Sequence, residues 1–219
     1  MKFLIIIFLS AYTLYSSDKI VISDFEEYPE NKFPVAWGIK KGLWYTSGKG
    51  NKTWNIRMEG NNKFLSADSK NDSFTIGKKY QYSLNKFKFL SWKWRIHLLP
   101  TGGNEENKKT GDSAAGVYII FSGVPIPYSI KYVWSSNQKV GTILNSPFTD
   151  RSKIIVIQSG TENIGAWVTE KRNVYEDYIK AFKVKKPTKE PEGVALLTDS
   201  DNTGSAAKAD YDDIFALEE

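Results

Sequence analysis

The segment Thr198-Asp-Ser-Asp-Asn-Thr-Gly204 sets side-chain oxygens at alternate positions, on Asp199, Asp201 and Thr203, ahead of a glycine suited to a sharp turn. Oxygen donors two residues apart in a turning loop are a pattern that coordinates calcium, and Asp210 falls at the twelfth position of such a loop. The closing residue is Asp rather than the longer Glu, position nine is Ala207, and a strand pattern follows, so the segment is not read as an EF-hand. An Asx-rich turn whose side chains cap backbone N–H groups fits the same residues. A second acidic arrangement uses both ends of the chain: Asp24-Phe-Glu-Glu27 near the start and Asp210-Tyr-Asp-Asp-Ile214 near the finish. If the first and last strands lie together, Glu26 or Glu27 shares a cation with Asp212 or Asp213. In a regular strand Asp212 and Asp213 point to opposite faces, and burying either alone costs several kcal/mol unless it finds a cation, an Arg or backbone donors. Protection of an exposed strand edge is the alternative use of those charges.

Arg95 and His97 form a third constellation, on the polar side of Trp92-Lys-Trp-Arg-Ile-His97, where they offer donors to a sugar hydroxyl or carboxylate. His97 is the single histidine, and no Ser/His/Asp order surrounds it. Neither GxSxG, HExxH nor GxxxxGK[ST] occurs, and there is no cysteine nucleophile. Hydrolysis by two carboxylates stays open, because the separation it needs is spatial.

These residues need a rigid scaffold, and the chain supplies one. It has 219 residues, 41% of them hydrophobic and 14% aromatic, which fits one globular domain and excludes a disordered chain or a collagen-like fibre. The net charge is +5 with no long basic block, which argues against nucleic acid as partner. Met1 and Lys2, the apolar run Phe3 to Leu9, and the small pair Ser16, Ser17 read as a secretory leader over residues 1–17. The run is shorter than the roughly 20 residues needed to span a bilayer, so a secreted or periplasmic mature chain, 18–219, with no transmembrane segment is expected. No cysteine follows to carry a lipid or a disulfide.

Trp92, Trp94 and Ile96 alternate with Lys93, Arg95 and His97, the period of two that marks a half-buried strand. Further strands are expected at 74–76, 117–121, 130–134, 154–157, 166–169, 194–198 and 211–217, separated by Gly, Pro, Asn, Asp and Ser. Between Asn173 and Lys183 the period changes: Val174, Tyr175, Tyr178, Ile179 and Phe182 share a helical face, and Asn173 with Glu176 is spaced as a capping pair. Two polar loops, 100–112 and 183–193, complete the pattern. The fold class is all-β: a single antiparallel β-sandwich of jelly-roll type with one short helix.

The phrases Ser91-Trp-Lys-Trp-Arg95, Asp112-Ser-Ala-Ala-Gly-Val-Tyr-Ile-Ile-Phe121, Lys131-Tyr-Val-Trp134, Arg172-Asn-Val-Tyr-Glu-Asp-Tyr178 and Thr198-Asp-Ser-Asp-Asn-Thr203 resemble, in order, the DUF3047 family of exported bacterial proteins. The resemblance implies compartment and order of elements, and no catalytic residue. This chain departs from the family pattern at Ser113, where a second acid is expected, and at Gly116, where an arginine is expected. More loosely, the opening Asp24-Phe-Glu with Phe33-Pro-Val-Ala-Trp37 and the closing Asp210-Tyr-Asp-Asp-Ile214 are similar to the ends of jelly-roll carbohydrate-binding modules. That likeness implies a structural calcium ion joining the two ends; with the turn residues above, the candidate metal ligands are Glu26, Asp199, Asp201 and Asp212.

Seven tryptophans and twelve tyrosines suit sugar binding, since a pyranose stacks its apolar face on a ring while polar neighbours hold its hydroxyls. Most rings must be core. The platform candidates lie beside charge: Tyr132 and Trp134 near Lys131, and Trp167 before Glu170 and Arg172. The expected role is noncatalytic binding of an envelope or extracellular glycan through Arg95, His97, Tyr132, Trp134, Trp167 and Arg172. An enzyme acting on polysaccharide, as hydrolase or lyase, and a structural envelope protein are the alternatives.

Overall fold

The computed structural model describes residues 18–41, 44–47 and 52–219. The expected leader, 1–17, lies outside the described residues. In chain order the strands are β1 (Lys19–Ser23), β2 (Gly38–Lys41), β3 (Trp44–Ser47), β4 (Trp54–Glu59), β5 (Asn62–Lys70), β6 (Ile76–Lys79) and β7 (Phe89–Leu98). There follow β8 (Ala115–Phe121), β9 (Tyr128–Ser135), β10 (Ile143–Ser146), β11 (Thr149–Ser159), β12 (Val168–Asn173), helix α1 (Val174–Phe182), β13 (Pro191–Leu197) and β14 (Ala206–Leu217). They form two sheets. The first runs β12-β7-β14-β5-β4, with β1 also paired to β14; the second runs β10-β11-β9-β8-β13-β6-β2-β3. The chain crosses repeatedly from one sheet to the other, and the two pack as a β-sandwich of jelly-roll type. Among the described pairs all are antiparallel except β9 with β11, which the long excursion through β10 turns back in the same direction.

Alternation decides which side chains enter the sandwich. Along β7, Leu90, Trp92, Trp94 and Ile96 are buried while Lys93 and Arg95 face outward. From the facing sheet, Ile130, Tyr132 and Trp134 of β9 point inward by the same period. The rings meet between the sheets: Trp92 and Tyr132 at 5.3 Å between centroids, Trp94 and Trp134 at 5.8 Å. Each indole removes about 200 Å² from water, worth on the order of 5 kcal/mol before conformational entropy is subtracted.

Strand β14 shows how a sequence with two adjacent carboxylates stays regular. Ala209, Tyr211, Ile214 and Ala216 all face the core, although strict alternation from Tyr211 would bring Asp213 inward. A bulge absorbs the extra residue: the register with β7 shifts between Asp212 and Phe215, and Asp213 takes a positive φ of 49°. Both acids thereby turn away from the ring-filled interior, yet Asp212 stays buried at 2% exposure and is met, as a buried carboxylate must be, by donors: Asn62 Nδ2 at 2.9 Å and the Asp213 N–H at 2.8 Å.

Helix α1 begins where expected. The Asn173 side chain accepts the Glu176 N–H at 3.0 Å, satisfying one of the free donors of the first turn. Strands β1, β2, β3, β4, β5 and β10 were not expected. For the β4–β5 hairpin a signal was present, since Gly60 and Asn61 join Glu59 to Asn62 as a two-residue turn with Gly60 at φ 61°. Replacing the cap, Asn173→Ala, should lower the unfolding free energy by about 1 kcal/mol in urea titration, with an unchanged denaturant slope.

Candidate functional site

On the outward face of the first sheet, Arg95 of β7 lies directly across from Asp210 of β14. Its Nε and Nη2 donate to Asp210 Oδ2 at 3.0 and 2.8 Å, and His97 Nε2 is 2.7 Å from the same oxygen. Asp210 is buried, and its three contacts replace the water it has lost. Arg95 Nη1 reaches Glu59 Oε2 at 2.9 Å from the end of β4. The guanidinium plane is then fixed, with its carbon 4.6 Å from the Trp167 ring and 5.2 Å from that of Phe64. Trp167 comes from the loop before β12, which is pinned to β7 by the Gly165 N–H donating to Ile96 O at 2.8 Å. Gly165 has a φ of 82°, a conformation that side-chain-bearing residues rarely adopt.

Beyond Asp210 on the same face a cavity of about 360 Å³ opens over β4, β5 and the start of β14. Lys52, Arg57, Lys70 and Lys208 line it against Asp68 and Asp72, with Asn55 and Ser66 between them. Its floor is therefore rich in donors and carries a positive excess.

Three of the six ligand residues expected from sequence thus come together: Arg95, His97 and Trp167. The other three do not join them. Tyr132 and Trp134 are buried in the core, 0% and 1% exposed, because positions 130, 132 and 134 share the inward side of β9. Neither offers a face to a ligand. Arg172 is half-buried and holds the helix: its Nε and Nη2 donate to Asp177 at 3.0 and 2.8 Å, and the Tyr132 hydroxyl donates to the same carboxylate at 2.9 Å. Burial, with Asp177 beside it, pushes the Tyr132 phenol well above its usual range.

The two chain ends do meet, since β1 pairs with β14. Glu26 and Asp212 nonetheless have separate donors on the β5 side of the hairpin turn. Glu26 Oε1 accepts the Lys63 N–H at 3.0 Å, and Asp212 Oδ2 accepts from Asn62 Nδ2 at 2.9 Å. Burial pushes the Asp212 carboxyl up to about 6, with the Asp213 charge adding to it.

Asp199 and Asp201 find a third partner that the sequence reading had not assigned. One oxygen from each of Asp112, Asp199 and Asp201 lies within 4.8 Å of the others, so the three could hold a metal ion. Some of their oxygens also accept hydrogen bonds. Asp112 accepts the Asn202 N–H at 3.2 Å, and the Thr203 N–H and hydroxyl at 2.7 and 2.6 Å, clamping the turn between β13 and β14. Asp199 accepts the Ser113 N–H at 2.8 Å. A carboxylate keeps further lone pairs beside these hydrogen bonds, so the three remain a set that could hold a metal ion.

A cation does stand beside the cluster. Lys131 of β9 is 4% exposed, donates to Ser113 Oγ at 2.7 Å, and passes so close to Gly116 that a Cβ there would lie 2.6 Å from its Cε. The cation expected at position 116 is supplied by the neighbouring strand instead, over a glycine that makes room for it. Asp199 is held up at about 6 by burial, against the pull of Lys131. Lys131, Asp199, Glu105 and Tyr118 line a cavity of about 370 Å³ on the outward face of the second sheet. Sequence reasoning missed Glu105 and Tyr118, and placed Lys131 only as a neighbour of Trp134. A lysine inside the apolar run Ile130 to Trp134 was the available signal, because a strand buried on both faces takes such a residue only with partners.

Residues 37–215 match the family described as DUF3047, protein of unknown function, and the chain belongs to it. No curated protein matches its sequence. Among solved structures it is similar to a family 11 carbohydrate-binding module of a Clostridium thermocellum cellulosomal cellulase, at 11% identity over 92% of this chain and 95% of that one, TM-score 0.44. A family 12 xyloglucanase from Bacillus licheniformis gives 10% identity over 92% and 97%, TM-score 0.45. The xyloglucanase domain of NopAA from Sinorhizobium fredii, in complex with cellobiose, gives 13% over 85% and 96%, TM-score 0.43. At such scores the likeness says nothing of what this chain binds.

The Asp212 carboxyl gives a pH test. Its folded value near 6 lies above the unfolded value of about 3.9, so the native state takes up the proton first and gains stability as pH falls from 7 toward 4. Asp212→Asn removes that term. The stability of the variant relative to wild type should be more favourable at pH 7.5 than at pH 4.5 by on the order of 2 kcal/mol, read from urea unfolding at both pH values.

Proposed function

We propose that the protein is an exported, noncatalytic glycan-binding β-sandwich, and that the glycan lies along the outward face of the first sheet. One observation carries the reading. Arg95, locked by Asp210 and Glu59, holds Trp167 partly exposed on the same sheet face as a polar cavity whose donors belong to adjacent strands. A ring for a sugar face next to ranked hydroxyl donors is the chemistry that a pyranose chain requires. In this reading Asp210 fixes Arg95 and His97, which share its Oδ2, rather than acting as a free acid or base.

The structural calcium expected from sequence is left out of this reading. The turn it would pin is already held by Asp112, so melting temperatures with and without EDTA should agree within about 1 °C. Export rests on the leader, and amino-terminal sequencing of the mature protein from a periplasmic or culture fraction should begin near Ser17 or Asp18.

Binding is tested by titrating neutral and acidic polysaccharides into the wild-type protein and into Trp167→Ala, a change at a partly exposed loop residue. The reading expects binding of at least one glycan without new reducing ends or unsaturated sugars, and at least a tenfold loss of affinity in the variant. Binding that survives Trp167→Ala unchanged, or release of product, contradicts it.

A further inference from the structure

The cavity on the second sheet lies apart from the first-sheet face and is built as a site. Glu105 is 1% exposed and lines it; its Oε2 accepts the Ser135 hydroxyl at 2.7 Å, while its Oε1 is buried without a hydrogen-bond partner. A carboxylate oxygen removed from water and given no donor is costly, and a ligand that brings an N–H to it recovers the loss. The charges around it point the same way. Glu105, Asp199 and Asp201 face Lys131 alone on the cavity wall, with Lys108 outside, 5.9 Å from the Phe148 ring. Pro147, Phe148, Ile154 and Leu197 make the remaining wall apolar.

Size and valence separate two kinds of cation. About 370 Å³ is the volume of a small-molecule site and far exceeds that of a metal ion. An ammonium has three N–H donors to satisfy, whereas calcium seeks six to eight oxygens, and Glu105 is not part of the metal-capable set Asp112, Asp199 and Asp201. We propose that this cavity binds a small organic molecule through a protonated primary amine, which donates to Glu105 Oε1 within the field of Asp199 and Asp201 while its carbon skeleton lies on Phe148 and Ile154. This site is independent of the first-sheet face and stands whether or not glycan binds there.

The test uses the full chain and matched probes: butylamine against butanol, and glucosamine against glucose, each titrated by calorimetry at pH 7. At least one amine should bind ten or more times tighter than its hydroxyl counterpart. Glu105→Gln removes the charge with little change of shape and should weaken that amine at least tenfold. Should Glu105→Gln fail to fold, Asp201→Asn, at an exposed position, should weaken it at least threefold. Equal affinity for amines and alcohols overturns the proposal, as does the absence of amine binding, or a calcium-induced rise in melting temperature that the amines do not produce.

Discussion

Two indoles from one strand, Trp92 and Trp94, meet Tyr132 and Trp134 from the opposite sheet, and the positions of most other side chains follow from that contact. Because successive residues of a strand point to opposite faces, committing 92 and 94 inward commits 93, 95 and 97 outward. The same step on β9 turns Tyr132 and Trp134 in and Lys131 out. Slipping either strand by one residue would bury a lysine or an arginine between the sheets and expose the rings, which is why the register tolerates no neighbour.

The clamp therefore creates two chemically different surfaces. On the first sheet, Arg95 and Asp210 face each other across neighbouring strands, and a ring from a connecting loop closes over them. On the second, Lys131 emerges beneath a long loop and a hairpin, so it is enclosed rather than solvated, and the acids beside it are enclosed with it. The difference lies in what covers the sheet. An open face favours an extended polymer, and a roofed cavity favours a compact ligand.

Much of this was legible from residues alone, for reasons that can be named. The β7 alternation and the cap at Asn173 were written in local pattern, and pattern fixes faces. Arg95 and His97 shared a face by the same rule, and their partner Asp210 was visible as an acid of the last strand without being visible as theirs. What failed was inference across the sandwich. Tyr132 and Trp134 sat beside charge in sequence, but a neighbour one residue away in a strand is on the other side of the sheet. The grouping of Asp112 with Asp199 and Asp201 joins segments nearly ninety residues apart through a turn clamp, and no spacing announces it. The bulge at Asp213 likewise depends on a single positive φ that a carboxylate side chain adopts more readily than most.

The ring clamp is tested most directly by a double-mutant cycle on Trp94 and Trp134, each replaced by leucine singly and together, with unfolding free energies measured in urea. Rings in contact between the sheets should give a coupling energy of about 1 kcal/mol, so that the double variant loses less stability than the two single losses combined. Losses that simply add, within about 0.3 kcal/mol, would mean that the two rings do not meet, and would contradict the register on which both outward surfaces depend.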